Sequence, residues 1–178
     1  ISFNILRTIL KFLPDKIIFN SFRSKKQHLD KGYLKKKSLV ISNGYEYLSS
    51  IKTPKNNIKI FNIIYVARYH RQKNYNLLLS SIHEFKNISN KKFKLHLVGK
   101  EINSGNKKLI KRLIELNIHE NTILHGLITP EEVHELFSKC DISLLLSNYG
   151  EAFPNVLAES MLYGTLPIST DVGDAKKI

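Results

Sequence analysis

Short runs rich in β-branched and aromatic residues alternate along this chain with longer runs of helical period, and that alternation narrows its fold more than any other feature. Residues 58–67 (IKIFNIIYVA) have the composition of a strand buried on both faces. Residues 76–88 then place Leu77, Leu78, Ile82 and Phe85 at helical spacing. Residues 93–98 alternate as a strand and stop at Gly99, residues 107–117 are helical, and 121–125 form a short strand. Thr129-Pro130-Glu131-Glu132 has the form of a capping box, with Thr129 as N-cap, Pro130 at the first position and Glu132 as the returning acid. A strand at 141–146, a helix at 155–163 and a strand at 166–170 complete the series, and 16–20 and 38–42 precede it as short strands. The pattern predicts an α/β protein with a Rossmann-like, doubly wound, largely parallel sheet.

Length allows one domain with a sizeable core, or parts of two, in 178 residues. Residues 49–57 (SSIKTPKNN), polar with a central proline, are the best linker. They divide a lead of about one βαβ unit, too small for its own core, from a longer α/β body. The single cysteine, Cys140, excludes an internal disulfide framework and fits a reducing compartment. No apolar run approaches a membrane span, and Ile1 begins no signal-peptide pattern. A cytoplasmic fragment of a longer protein is expected.

The 28 basic against 15 acidic residues leave a net charge of +13. Nucleic acid, an anionic membrane surface and anionic small molecules are the partners such a charge admits. A lysine-rich solvated surface explains it equally well, because the lysine clusters are dispersed. Residues 1–13 carry Phe3, Leu6, Leu10 and Leu13 on one helical face. Such a helix either packs on its own sheet or, given Arg7 and Lys11, lies on a membrane surface. None of the seven histidines stands at metal-ligand spacing from cysteine or carboxylate. His83, His96 and His134 are expected to be ordinary surface or interface residues, and His70 stands where it could touch phosphate.

The chemistry concentrates in Ser147-Asn148-Tyr149-Gly150-Glu151-Ala152-Phe153-Pro154-Asn155-Val156-Leu157-Ala158-Glu159. Glu151 falls on the loop at a strand's carboxyl end, and Glu159 falls just over a turn into the helix that follows. Pro154 suits an early helical position. Ligands of open α/β sheets bind at that edge, and free N–H groups at a helix start favour anions. A phosphate held there would have a carboxylate on each side, each able to accept a sugar hydroxyl proton. The site suits a sugar joined to a nucleotide.

An ordered set of segments resembles the retaining glycosyltransferases of family 4, also called group 1, of GT-B fold. It comprises Asn20-Ser21, Ile41-Ser42-Asn43-Gly44, Tyr65-Val66-Ala67-Arg68, Gln72-Lys73-Asn74, Leu97-Val98-Gly99, His125-Gly126, Asp141-Ile142-Ser143, Glu151 through Glu159, and Thr170-Asp171-Val172-Gly173-Asp174. The resemblance implies that residues 1–48 are a remnant of an N-terminal acceptor domain and its linker. Residues 49–178 would be the C-terminal nucleotide-sugar-binding domain, incomplete at its C-terminus.

By the same resemblance Arg68 and Lys73 contact the donor diphosphate, where fixed cations stabilise the charge left by the departing sugar. On spacing alone they are two surface cations among 28. Glu151 would meet hexose hydroxyls, and Glu159 would grip the ribose diol. The backbone from Ala152 through Phe153, Pro154, Asn155 and Val156 to Leu157 would line phosphate and sugar. Ala152 stands where many relatives carry glycine. Gly99 would let the backbone approach the nucleotide, though a plain turn accounts for it as well. Gly126 and Leu127 would frame the base. Arg68, Lys73 and Glu151 are thus the catalytic candidates, with no metal ion and no cofactor expected. The implied function is hexose transfer, with retention, from a nucleotide-diphosphate sugar to a glycan or lipid-linked acceptor in bacterial surface polysaccharide synthesis, such as capsule or lipopolysaccharide. The protein would act in the cytoplasm, at the inner face of the membrane if its basic surface docks there, and the isolated chain would be inactive. The rivals are a basic nucleic-acid-binding module and a sugar-nucleotide-binding protein without transfer activity.

Overall fold

A computed structural model describes residues 3–46 and 60–178, so the linker expected at 49–57 lies outside the described residues. The first unit runs α1 (Phe3–Phe12), β1 (Ile17–Phe19), α2 (Phe22–Asp30) and β2 (Ser38–Val40). β1 and β2 pair in parallel, Ile17 opposite Ser38, with α2 as the crossover. Ser21 starts α2 by accepting a hydrogen bond from the Ser24 amide at 3.0 Å. Helix α1 forms as its period predicts. In and just after it Ile5, Leu10, Phe12 and Leu13 are exposed, Leu13 to 73%. Two three-residue strands offer little surface to cover them, and their own Ile18 and Leu39 are exposed as well. Lys37 holds the end of α1 instead, its Nζ donating to the carbonyls of Phe12 (2.7 Å) and Pro14 (2.9 Å). A cation at a helix C-terminus meets both the open carbonyls and the negative end of the dipole.

The main body continues with β3 (Phe61–Val66), α3 (Tyr75–Ile88), β4 (Phe93–Val98), α4 (Lys107–Glu115), β5 (Thr122–Gly126), α5 (Pro130–Lys139), β6 (Ile142–Leu145), α6 (Asn155–Leu162) and β7 (Leu166–Ser169). The sheet order is β5-β4-β3-β6-β7 and every pairing is parallel. This is the α/β, Rossmann-like, doubly wound arrangement expected. Side chains alternate across β3, so Ile63 and Tyr65 join one core and Ile64 the other. The first core packs Leu78, Leu79 and Ile82 of α3 and Leu109 and Leu113 of α4 on the sheet. The second takes Val133 and Phe137 of α5. The capping box forms, Thr129 accepting from the Glu132 amide (3.3 Å) and Glu132 from the Thr129 amide (2.8 Å).

The winding reverses between β3 and β6. From β3 the chain steps outward to β4 and β5, then returns to β6 on the other side. A crevice opens at the carboxyl ends of strands at such a switch point, and ligands of open α/β sheets bind there. The segments leaving β3 and β6 are 67–74 and 146–154, which hold most of the candidates.

His96 corrects one expectation. It is half-buried on β4, stacked on His125 of β5 with ring centroids 5.2 Å apart, its Nδ1 3.0 Å from His125 Nε2. Burial, then the charges of His125 and Lys94, lower its pKa to about 4. The folded protein therefore keeps His96 neutral where the unfolded chain, titrating at about 6.5, takes up a proton. This contribution to stability is complete above pH 6.5 and is lost as pH falls toward 4. His96→Gln should flatten the fall of melting temperature over that range. An unchanged slope would place the acid-sensitive group elsewhere.

Candidate functional site

The buried strand β3 delivers the first half of the site. Its last rung is closed by the Ala67 amide on the Val98 carbonyl at 2.8 Å. Gly99 lies against this strand end so closely that a Cβ would sit 2.3 Å from the Ala67 oxygen, and its φ is +142°. The chain's own packing therefore accounts for this glycine. Beyond Ala67 the loop tightens into a 3-10 turn at Arg71–Lys73, where His70 Nδ1 accepts from the Gln72 amide at 3.2 Å. Asn74 turns the chain in a left-handed conformation (φ 51°) that asparagine tolerates. Its side chain then caps α3 through the Leu77 amide at 3.3 Å. Two buried tyrosines hold the loop from below. Tyr75 donates to the Ala67 carbonyl at 2.7 Å, and Tyr65 donates to the carbonyl of Lys73. Burial raises the pKa of both phenols, so they stay protonated as donors. The backbone of Lys73 is thereby fixed.

Strand β6 delivers the second half. The Asn148 amide donates to the Gln72 carbonyl at 2.8 Å, and Asn74 Nδ2 donates to Asn148 Oδ1 at 2.7 Å. The two loops are stitched together across the switch point. Lys73 and Glu151 meet there in an ion pair, with Ser147 Oγ donating to the same carboxylate oxygen at 2.6 Å. The side chains are only 19% and 13% exposed. This contact joins two of the three catalytic candidates. Three N–H groups belong to the ammonium, and Glu151 takes one.

Helix α6 begins immediately after. Pro154 occupies the N-cap rather than a helical position, with φ −76° and ψ 92°. The Leu157 amide is taken by the Pro154 carbonyl at 3.1 Å. Among the described residues, that leaves the amides of Asn155 and Val156 as the open donors at the positive end of the helix. Glu159 follows one turn later, half-buried. Burial raises its pKa, and the neighbouring His134 of α5 opposes the shift. His134 is itself partly buried, stacked on Tyr163 with ring centroids 4.7 Å apart.

Ala152 turns its carbonyl to the Asp174 amide at 2.9 Å. Phe153 stacks on Tyr45 with centroids 6.3 Å apart. Tyr45 also donates to Asn155 Oδ1 at 2.7 Å, and Asn43 Nδ2 bonds the same oxygen at 2.6 Å. Burial raises the Tyr45 pKa, and the charge of Glu159 adds to the shift. Tyr45 is thus a site residue that sequence reasoning missed. Its partners lie about 110 positions away, beyond any local pattern. At the outer strands the Gly99 amide bonds the Gly126 carbonyl at 2.7 Å, and Leu127 is 81% exposed. Arg68 is exposed, one residue beyond the fixed strand end, and the ion pair at the switch point does not include it.

The strand ends thus present, in order, Gly126 and Leu127 (β5), Gly99 (β4), Arg68 to Lys73 (β3) and Ser147 to Glu151 (β6), with Glu159 on the helix above. The edge combines backbone donors, two cations and two carboxylates. Its donors and cations can hold a diphosphate, and its carboxylates can accept hydroxyl protons on either side.

Known proteins resemble this chain in sequence and in fold. An uncharacterized 41.2 kDa protein in the cps region of Klebsiella pneumoniae is 29% identical over 181 residues, covering 97% of this chain and 47% of that protein. HepE of Anabaena, solved in complex with UDP and glucose, superposes with a TM-score of 0.83 at 18% identity, over 98% of this chain and 49% of HepE. The apo form of the lipopolysaccharide outer core galactosyltransferase WaaB superposes with a TM-score of 0.73 at 26% identity, over 92% of this chain and 45% of WaaB. The chain spans about half the length of these relatives. The family described as glycosyl transferases group 1 matches residues 50–178, the greater part of the sequence, and the chain belongs to that family.

Proposed function

We propose that this chain is the donor-binding part of a retaining glycosyltransferase that takes a hexose from a nucleotide-diphosphate sugar. The acceptor is a glycan or lipid-linked saccharide of a bacterial surface polysaccharide. The observation that carries the proposal is the Lys73–Glu151 pair at the switch point, on the loop that leads into α6 and its Glu159. The cps-region relative supports the polysaccharide context, and HepE, crystallised with UDP-glucose, supports a UDP-hexose as the first donor to try.

The roles follow from reach and charge. The α6 amides and Arg68 hold the diphosphate. Lys73 keeps one N–H on Glu151 and turns the others to the phosphate oxygen on which charge gathers as the sugar departs. Glu151, fixed by Lys73 and Ser147, offers its remaining acceptor positions to hexose hydroxyls. Glu159 accepts from the ribose diol. A pocket of about 450 Å³ opens at the start of α3, lined by Tyr69, His70, Arg71, Asn74, Tyr75, Asn76 and Asn148, with Lys73 outside its walls.

Calorimetry on the 178-residue chain tests the assignment. UDP-glucose, or another sugar nucleotide from a UDP, GDP and ADP panel, should bind saturably. Glu151→Ala should then weaken the sugar nucleotide more than the bare nucleoside diphosphate. Equal losses for both would break the division between a sugar end and a phosphate end. Absence of binding across the panel would remove the donor site altogether.

A further inference from the structure

Asp174 is 5% exposed, a buried carboxylate that needs partners. It finds them in the other unit of the chain. Oδ2 accepts from the Phe22 amide at 2.6 Å and Oδ1 from the Arg23 amide at 2.9 Å, across 152 and 151 positions. These are the first two amides of α2, open donors at the positive end of that helix. The third, Ser24, is already held by Ser21. Lys177 strengthens the same junction, its Nζ lying 3.5 Å from the centroid of the Phe22 ring.

The backbone of the same segment is bound to the loop of Glu151. The Asp174 amide donates to the Ala152 carbonyl at 2.9 Å. Gly173, at φ +55°, lies so close to the backbone of Glu151 and Ala152 that a Cβ would stand 2.4 Å from the Ala152 oxygen and 3.0 Å from the Glu151 carbonyl carbon. A shift of that backbone therefore bears directly on residues 173 and 174. Asp174 therefore faces two ways, its backbone on the sugar-facing loop and its carboxylate on α2.

We infer that Asp174 is a positioning residue that couples the donor loop at Glu151–Ala152 to helix α2. The inference rests on the donor-site reading above. A sugar nucleotide that draws Glu151 toward a hexose moves the peptide on which Gly173 and Asp174 are seated. The carboxylate then shifts against the amides of Phe22 and Arg23. Coupling of this kind is reciprocal, so the anchoring of α2 sets donor affinity by the same factor.

Amide hydrogen exchange on the 178-residue chain, with and without saturating UDP-glucose, tests it once calorimetry has shown binding. Bound ligand should change exchange at Phe22 and Arg23 by about fivefold or more, the lower end of ordinary coupling. Asp174→Asn keeps the volume but turns an N–H toward one of the two amides. It should abolish that response and shift UDP-glucose affinity by a similar factor. Ser21→Ala removes a cap from the same helix without touching the junction. It should speed exchange at Ser24 while leaving the ligand response and the affinity as they were. An unresponsive Phe22 and Arg23 in the ligand-bound wild type would overturn the coupling alone, and this arm decides the matter if the Asn variant does not fold. The same follows if Asp174→Asn behaves like Ser21→Ala. Failure of every sugar nucleotide to bind the wild type would instead sink the donor reading and the coupling with it.

Discussion

Lys73→Ala, in an active protein containing this chain, should lower kcat by roughly 10²–10³-fold, the loss found when a group that stabilises developing charge is removed. The ammonium sits in a water-poor position, 19% exposed, on a backbone held by Tyr65. A cation fixed there needs no reorganisation when the leaving phosphate gains charge. The substitution also leaves Glu151 with Ser147 as its remaining partner, and stripping a buried carboxylate of its cation is costly in itself. The stability cost can be read separately. Pairing Lys73→Ala with Glu151→Gln removes the orphaned charge, so melting temperature should recover. A melting temperature that stays low would show that Lys73 holds the loop by more than its charge. A single variant with normal kcat and only a raised KM would show uniform binding of substrate and transition state.

Glu159→Ala should weaken binding of the nucleoside diphosphate itself by about 1.5–3 kcal/mol, the worth of hydrogen bonds to a charged acceptor. That is about 10- to 150-fold in affinity. The same residue should show an opposite sign in stability. Burial raises its folded pKa above the ordinary 4.5, so its contribution to stability is full below that pH and is lost as pH rises through the folded value. At pH 7 the ligand-free protein carries the cost of a half-buried carboxylate. Glu159→Gln should therefore raise the ligand-free melting temperature slightly, about 1 °C because solvent screens a half-exposed group. The gain should vanish near pH 4. Higher stability with lower affinity is the signature of a group kept for binding. Unchanged affinity in a folded Ala variant would take Glu159 out of the site.

The sheet, its winding and the position of both carboxylates were legible because their signals are local. Residues 61–66 combine β-branched and aromatic side chains, Thr129 and Glu132 stand at capping-box spacing, and Glu159 is displaced from a strand end by a countable number of residues. What was not legible depends on contacts across the chain. Nothing near Lys73 announces Glu151 as its partner, 78 positions on. Tyr45 looks like any tyrosine until β6 and α6 bring Asn155 and Phe153 beneath it. His96 was expected among the ordinary surface or interface residues because its neighbour, His125, belongs to the next strand. Pro154 was placed one position too far into α6, since a proline suits both the N-cap and the first turn. The setting of α1 stayed open for a different reason. An amphipathic period shows that a face is apolar, not which surface receives it.

The seam at Gly99 has a consequence for how such a site can change. Its amide hangs on the carbonyl of Gly126, and its missing Cβ admits the carbonyl of Ala67, so three strand termini are welded into one rigid bar. A rigid bar works as a ruler. The interval between whatever lies at Leu127 and whatever lies at Lys73 is set by strand spacing, which side-chain replacements in the flanking loops do not alter. Replacements around the exposed Leu127 can thus alter what one end of the edge holds without displacing Lys73 at the other. The interval between the two ends stays constant.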